Sequence, residues 1–84
     1  YPNPFNPFTT IQFRVVEPVN VSLNIYDLSG KQIKTLVNSF KNSGKHQVVW
    51  DATNNLGQSV AAGMYIYTIQ AGDFNQTRKM LLLK

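Results

Sequence analysis

Residues 19–25 read VNVSLNI, a stretch in which apolar and polar side chains alternate at every position. Successive side chains of a β-strand point to opposite faces of a sheet, so this alternation predicts a strand with one buried and one exposed face. Residues 10–15, TIQFRV, alternate in the same way and direct Ile11, Phe13 and Val15 inward. The chain therefore contains two half-buried strands close together in sequence.

The period of two continues along most of the chain. Turn-forming residues, chiefly Asp, Asn, Ser and Gly, separate the further segments of strand-forming composition. These predicted strands are residues 32–37, 45–51, 64–71 and 75–83, with a loop at residues 52–63. Strands that follow one another through short turns predict a meander, and the last two are expected to pair as a hairpin.

The predicted fold is all-β. No segment shows the 3.6-residue period of an amphipathic helix, and short strands separated by frequent turns predict an antiparallel immunoglobulin-like β-sandwich of about seven short strands. A large aromatic residue is expected between the sheets. The predicted core residues are Phe13, Leu23, Ile25, Trp50, Tyr65 and Tyr67. Because the chain has no cysteine, packing must hold the sheets together without a disulfide.

The composition indicates one small domain. The 84 residues are 43% hydrophobic and 14% charged, which allows a single core, and we assign residues 1–84 to one domain with residues 1–9 as a proline-rich entry segment. The chain begins with Tyr1 and shows no basic and apolar leader, which predicts a piece of a longer protein. Its longest apolar run, residues 80–83, is far shorter than the roughly 20 residues of a membrane helix, so no direct membrane insertion is expected.

The charge does not predict a nucleic-acid partner. Eight basic and four acidic residues give a net charge of +4, and the basic residues are spread along the chain. Nucleic-acid-binding proteins usually cluster them on one face, together with aromatic side chains.

The sequence does not predict an enzyme. The four acids fall in separate turns or strand ends, so no carboxylate pair is available for acid/base catalysis, and His46 is expected to be structural at the rim of the core. Residues 51–57, DATNNLG, resemble a calcium loop but lack its bidentate glutamate. We expect Asp51 and Asn54 to bind the loop backbone instead. No catalytic residue, metal site or cofactor is predicted.

Three aromatic residues support an alternative function. Tyr26, Phe40 and Phe74 fall near turns or on outward faces, and together they could form a sugar platform of a carbohydrate-binding or structural accessory module of a secreted hydrolase. The favoured interpretation is that Phe40 and Phe74 fold under their loops as an extension of the core.

The C-terminal residues 76–84, QTRKMLLLK, form a basic and strongly apolar run. In a strand, Met80 and Leu82 would point to one face, and Leu81 and Leu83 to the other. A strand exposed on one side should alternate apolar with polar residues, so the second apolar face is predicted to be covered or to bind a partner.

Five sequence blocks carry a resemblance to a known family. They are YPNPFNP with TTI (residues 1–7 and 9–11), IYDLSG (25–30), GKHQVVWD (44–51), GMY (63–65) and KMLLLK (79–84). In this order they resemble the C-terminal sorting domain of the type IX (Por) secretion system, over the entire chain. The immunoglobulin-like domain of flagellar hook-capping proteins is similar in the Trp-Asp and Gly-x-Tyr blocks, but the first and last blocks favour the sorting domain.

The resemblance implies that the chain is a secretion signal. Such domains close larger proteins of Bacteroidota and related lineages, so N-terminal cargo domains are expected. The implied partners are the outer-membrane secretion translocon and a sortase-like peptidase. The implied localisation is export through the periplasm, then the cell surface or the extracellular space.

Two segments are predicted to carry this function. The residues predicted for recognition by the translocon are Arg78, Lys79, Met80, Leu81, Leu82, Leu83 and Lys84. The predicted linker and cleavage region contains Tyr1, Pro2, Asn3 and Pro4, because prolines favour an extended and accessible backbone.

Overall fold

The computed structural model describes residues 8–83, and this part of the chain forms six β-strands. In chain order they are β1 (Thr9–Val15), β2 (Val19–Tyr26), β3 (Gln32–Lys41), β4 (Gly44–Trp50), β5 (Gly63–Ala71) and β6 (Phe74–Leu82). The all-β antiparallel fold is confirmed, with six strands in the described residues where about seven were predicted. The predicted entry segment, residues 1–9, lies outside the described residues except for its last two, and Thr9 already belongs to β1.

The strands form two sheets that face each other. One sheet has four strands in the order β3-β2-β5-β6, and the other pairs β1 with β4. The prediction of a meander is wrong, because β1 and β2 lie in different sheets and so do β3 and β4. Alternation identifies which face of a strand is buried, but it does not determine the neighbour with which the strand pairs. The predicted β5–β6 hairpin is present, with Ala71 opposite Phe74 across a two-residue loop.

The core lies between the two sheets, and Trp50 is its largest fully buried side chain. Leu23 and Ile25 of β2 are also fully buried, and Tyr65 meets Trp50 edge to face with 5.2 Å between the ring centroids. Phe13 and Tyr67 are only partly buried and pack against this cluster. The remaining buried hydrophobic residues are Ile11, Val15, Val21, Val37, Ala52, Ile69 and Leu82.

The β4–β5 loop is fixed by its own polar contacts. The indole Nε1 of Trp50 donates to the carbonyl of Thr53 at 2.8 Å, and the Tyr65 hydroxyl donates to the carbonyl of Ala61 at 2.6 Å. Ala52 has a positive φ of 64°, which turns the chain sharply after β4 while its methyl group stays buried. The two aromatic residues of the core therefore also anchor both ends of the loop.

The same loop covers the outer edge of β3. The backbone N–H of Asn55 donates to the carbonyl of Ile33, and the Asn55 side-chain oxygen accepts from the N–H of Thr35, both at 3.0 Å. Lys34 Nζ donates to the Asn54 carbonyl at 3.1 Å. Two register shifts in the β2–β3 pairing also make this edge irregular. Such features protect an edge strand from pairing with another chain.

Replacing Leu23 with alanine should destabilise the domain by about 2–5 kcal/mol, because the fully buried side chain would leave a cavity between the sheets. Leu56→Ala is the matched control, since Leu56 is 82% exposed and its loss should change the free energy of unfolding by no more than about 0.5 kcal/mol. Urea denaturation measures both. Equal effects of the two substitutions would contradict this description of the core.

Candidate functional site

The C-terminal end of strand β6 has apolar side chains on both of its faces. Leu82 is 2% exposed and belongs to the core, and the half-buried Met80 packs against the core from the same face. Leu81 and Leu83, by contrast, are 56% and 70% exposed. The folded domain therefore exposes Leu81 on β6 and Leu83 directly after it, while the other face of β6 packs against the core.

Neighbouring residues of β5 extend this exposed surface. Met64 lies directly opposite Leu81 in the β5–β6 pairing and is also exposed. Residues opposite each other in an antiparallel pair have Cβ atoms about 5 Å apart, so the two side chains form one surface. We call Met64, Leu81 and Leu83 the terminal patch. Ile66, opposite Lys79, continues this face of the sheet.

Positive charge adjoins the terminal patch. Lys79 is exposed on the same face as Leu81, and Arg78 is exposed on the opposite face. With the Gln76 amide oriented so that its oxygen faces the guanidinium, this oxygen accepts from Nε and Nη2 of Arg78 at 3.0 and 2.7 Å. Neither β5 nor β6 contains an acidic residue. The surface is thus apolar at one end of β6 and basic at its middle.

The residues predicted for recognition do not all lie on one surface of the folded domain. Lys79 and Leu81 lie on the outer face of the four-stranded sheet, and the exposed Leu83 follows the end of β6, whereas the buried Leu82 cannot contact a partner of the folded domain. Lys84 and the predicted cleavage region, Tyr1, Pro2, Asn3 and Pro4, lie outside the described residues. Sequence reasoning missed Met64. The sequence contained a pattern that could have identified it, because Met64 and Ile66 alternate with Tyr65 and Tyr67 and make both faces of β5 apolar.

The predicted sugar platform does not form. Phe40 and Phe74 are 60% and 55% exposed, so the expectation that they fold under their loops is wrong. Phe40 lies opposite Asn20 on the outer face, while Phe74 lies opposite Ala71 on the face directed toward the other sheet. Tyr26 is six residues from Asn20 along β2, a separation of about 20 Å. Tyr26 and Phe40 are therefore far apart on the outer face, and Phe74 lies on the other face.

The β4–β5 loop has the polar contacts expected of a structural turn. Asp51 Oδ1 accepts from the N–H and the hydroxyl of Thr53, and Asn54 Oδ1 accepts from the N–H groups of Leu56 and Gln58 at 2.9 Å. Both side chains thus bind the loop backbone, as predicted. No group of three potential metal ligands occurs within residues 8–83.

His46 occupies the rim of the core. Its ring stacks on Phe13 with 5.5 Å between the centroids, and Nε2 lies 2.7 Å from the carbonyl oxygen of Asn42. Both contacts have a structural purpose, since they join β1 to β4 and close the β3–β4 turn. No helix in the described part of the chain is long and apolar enough to cross a membrane.

These observations define a class: a small immunoglobulin-like β-sandwich that presents an exposed apolar and basic terminal strand. Over residues 1–83 the sequence matches the family model described as the secretion system C-terminal sorting domain. The chain belongs to this family, the sorting signals of type IX secretion cargo. The family is not catalytic.

Solved structures share the fold at low sequence identity. FlgD from P. aeruginosa is 17% identical, with a TM-score of 0.72, 96% of this chain covered and 64% of that chain. FlgD from Xanthomonas campestris, described in connection with hook capping in flagellar assembly, is 23% identical, with a TM-score of 0.70 and coverages of 93% and 57%. Dimeric latent PorU from Porphyromonas gingivalis is 21% identical, with a TM-score of 0.69 and coverages of 99% and 9%. The chain thus spans less than two thirds of each of these proteins. No curated protein sequence is significantly similar to it.

Two turn carboxylates should titrate below the ordinary aspartate pKa of 3.8. The Ser29 hydroxyl and the Lys31 N–H donate to Asp27 and lower its pKa, and the Thr53 hydroxyl lowers the pKa of Asp51. A carboxyl whose pKa is lower in the folded state stabilises the fold above the pKa of the unfolded chain, and this contribution is lost as the pH falls through the folded value. Stability should therefore decrease as the pH falls below about 4.

Carbon-13 NMR titration of the carboxyl groups measures this effect. Ser29→Ala should raise the pKa of Asp27 toward its ordinary value and leave that of Asp51 unchanged, because only the first carboxylate loses a donor. An unchanged pKa of Asp27 in this variant would contradict the assignment.

Proposed function

We propose that the outer-membrane translocon recognises this domain through the terminal patch and Lys79. The observation that carries the proposal is the arrangement at the end of β6, where Leu82 is buried in the core and Leu81 and the following Leu83 are exposed. Because both side chains are mostly exposed, they contribute little to the stability of the fold. Their burial against a receptor would contribute about 25 cal/mol for each Å² of apolar surface covered.

In this proposal the domain closes a larger exported protein. N-terminal cargo domains cross the inner membrane first and reach the periplasm, where the folded sorting domain meets the translocon. The cargo then reaches the cell surface or the extracellular space. A sortase-like peptidase cleaves in or near residues 1–4, where two prolines in four residues favour an extended backbone that fits a protease cleft.

A reporter fusion tests this function. Residues 1–84 are placed behind an exported fluorescent protein in a type IX-competent host and in its translocon-deficient mutant. Fluorescence at the surface or in the medium of the competent host alone is expected. Retention of the folded fusion in the periplasm of both hosts would contradict the proposal.

The double substitution Leu81→Ser and Leu83→Ser should reduce reporter export at least tenfold. It should change the free energy of unfolding by no more than about 1 kcal/mol, because both side chains are exposed. Reporter fluorescence in the medium and thermal unfolding of the purified domain measure the two effects.

Two variants control this experiment. Leu28→Ser with Leu56→Ser removes two leucines that are at least as exposed, 61% and 82%, from other surfaces and should leave export unchanged. Leu82→Ser should lower stability strongly, because it places a hydroxyl group in the core. Normal export of the Leu81 and Leu83 double variant would exclude the terminal patch as the recognition surface.

A further inference from the structure

The two edges of the four-stranded sheet differ. The β3 edge is interrupted by two register shifts, and the β4–β5 loop covers its first part through the bonds that Asn55 makes with Ile33 and Thr35. At the other edge, β6 pairs with β5 along nine residues without a register shift, and no strand within residues 8–83 pairs with its outer side. A long, regular and uncovered edge is a template for pairing with another strand.

The outward backbone groups of β6 can be assigned from the hairpin geometry. In an antiparallel pair, hydrogen-bonded and non-hydrogen-bonded residue pairs alternate. A two-residue loop makes its flanking pair, here Ala71 and Phe74, a hydrogen-bonded one, since the turn closes through it. The N–H and C=O groups of Thr77, Lys79 and Leu81 are thereby directed to the free edge. The side chains of the same three residues lie on the outer face.

The charge of β6 indicates what kind of strand can pair with it. Arg78 and Lys79 lie at its middle, one on each face, and the strand contains no acid. Within the described residues, no hydrogen bond or ion pair engages the ammonium group of Lys79. Like charges directly opposite each other destabilise a strand pair, and opposite charges stabilise it.

A second copy of this chain is a poor partner. The antiparallel pairing that overlaps all nine residues of β6 with another β6 sets Arg78 opposite Arg78 of the other copy and Lys79 opposite its Thr77, so the four cationic side chains lie close together. Repulsion between four positive charges in a short segment opposes this arrangement. A partner strand with acidic residues at its middle faces no such penalty.

We infer that β6 accepts an added β-strand from the secretion machinery, and that this strand has acidic residues opposite Arg78 and Lys79 and an apolar residue beside Leu81. The inference rests on the proposed function and specifies the chemistry of the partner. Main-chain hydrogen bonds supply the binding, and side chains on alternate positions supply the selectivity. The terminal patch then covers the apolar end of the added strand.

Thr77→Pro tests the backbone part of this inference. Proline removes the N–H directed to the free edge and leaves the bonds to β5 in place, because proline is accepted on edge strands where this group faces solvent. In the reporter assay, Thr77→Pro should reduce export at least tenfold, while Thr77→Ala, which keeps the N–H, should stay within twofold of the unmodified domain.

Charge variants at Lys79 test the side-chain part independently. Lys79→Glu should reduce export at least tenfold, and Lys79→Arg should stay within twofold. Thermal unfolding of each purified domain verifies the fold. If Thr77→Pro does not unfold cooperatively, it is not folded, and the export of the two Lys79 variants then tests the inference.

The outcomes separate the two proposals. Translocon-dependent export of the unmodified domain together with normal export of folded Thr77→Pro would overturn strand addition and leave the proposed function intact. Normal export of folded Lys79→Glu would overturn the acidic partner and remove Lys79 from the recognition surface, while recognition through the terminal patch would stand. Translocon-independent behaviour of the unmodified domain would instead remove the proposed function. Sedimentation equilibrium of the 84-residue chain tests whether two copies of it associate. A dimer that Thr77→Pro abolishes would overturn the acidic partner in favour of self-pairing.

Discussion

The structure depends on the contact between Trp50 and Tyr65. Trp50 ends β4 in the two-stranded sheet and Tyr65 lies in β5 of the four-stranded sheet, so their edge-to-face contact joins the two layers. Each ring also anchors one end of the β4–β5 loop through a hydrogen bond to a backbone carbonyl. A domain of this size without cysteine has little buried surface in reserve. The buried aromatic pair thus stabilises the core and shapes the loop that protects the β3 edge.

The sequence predicts the faces of the strands better than their partners. Alternation in β1 and β2 identified inward residues such as Ile11 and Leu23, because the side-chain period of a strand is fixed by its backbone. The pairing of β1 with β4 was not predictable in the same way. It depends on how two apolar faces meet across the core, and nothing in the Glu17-Pro18 link shows that the chain changes sheets there.

The same limit applies to the candidate site, where the sequence predicted the faces of the strand but not which face would be buried. A two-faced β6 could be predicted from MLLL, but the outcome for each leucine depended on which face the four-stranded sheet turned inward. Met64 joined the surface only through its register with Leu81. Phe40 stayed exposed because it lies on the outer face of β3, and Phe74 because it lies directly after the β5–β6 turn. Local pattern determines the orientation of a side chain, and tertiary structure determines what covers it.

The division of β6 also makes a sorting signal that depends on folding. In an unfolded chain, Leu81, Leu82 and Leu83 form one exposed apolar run. Folding buries Leu82 and leaves Leu81 and Leu83 exposed, with Leu81 on the same face as Lys79. A receptor that requires this arrangement would reject unfolded chains without a separate test of folding. Because Met80 and Leu82 hold β6 against the core, a substitution that loosens the sandwich should also weaken recognition, even when it lies far from the terminal patch.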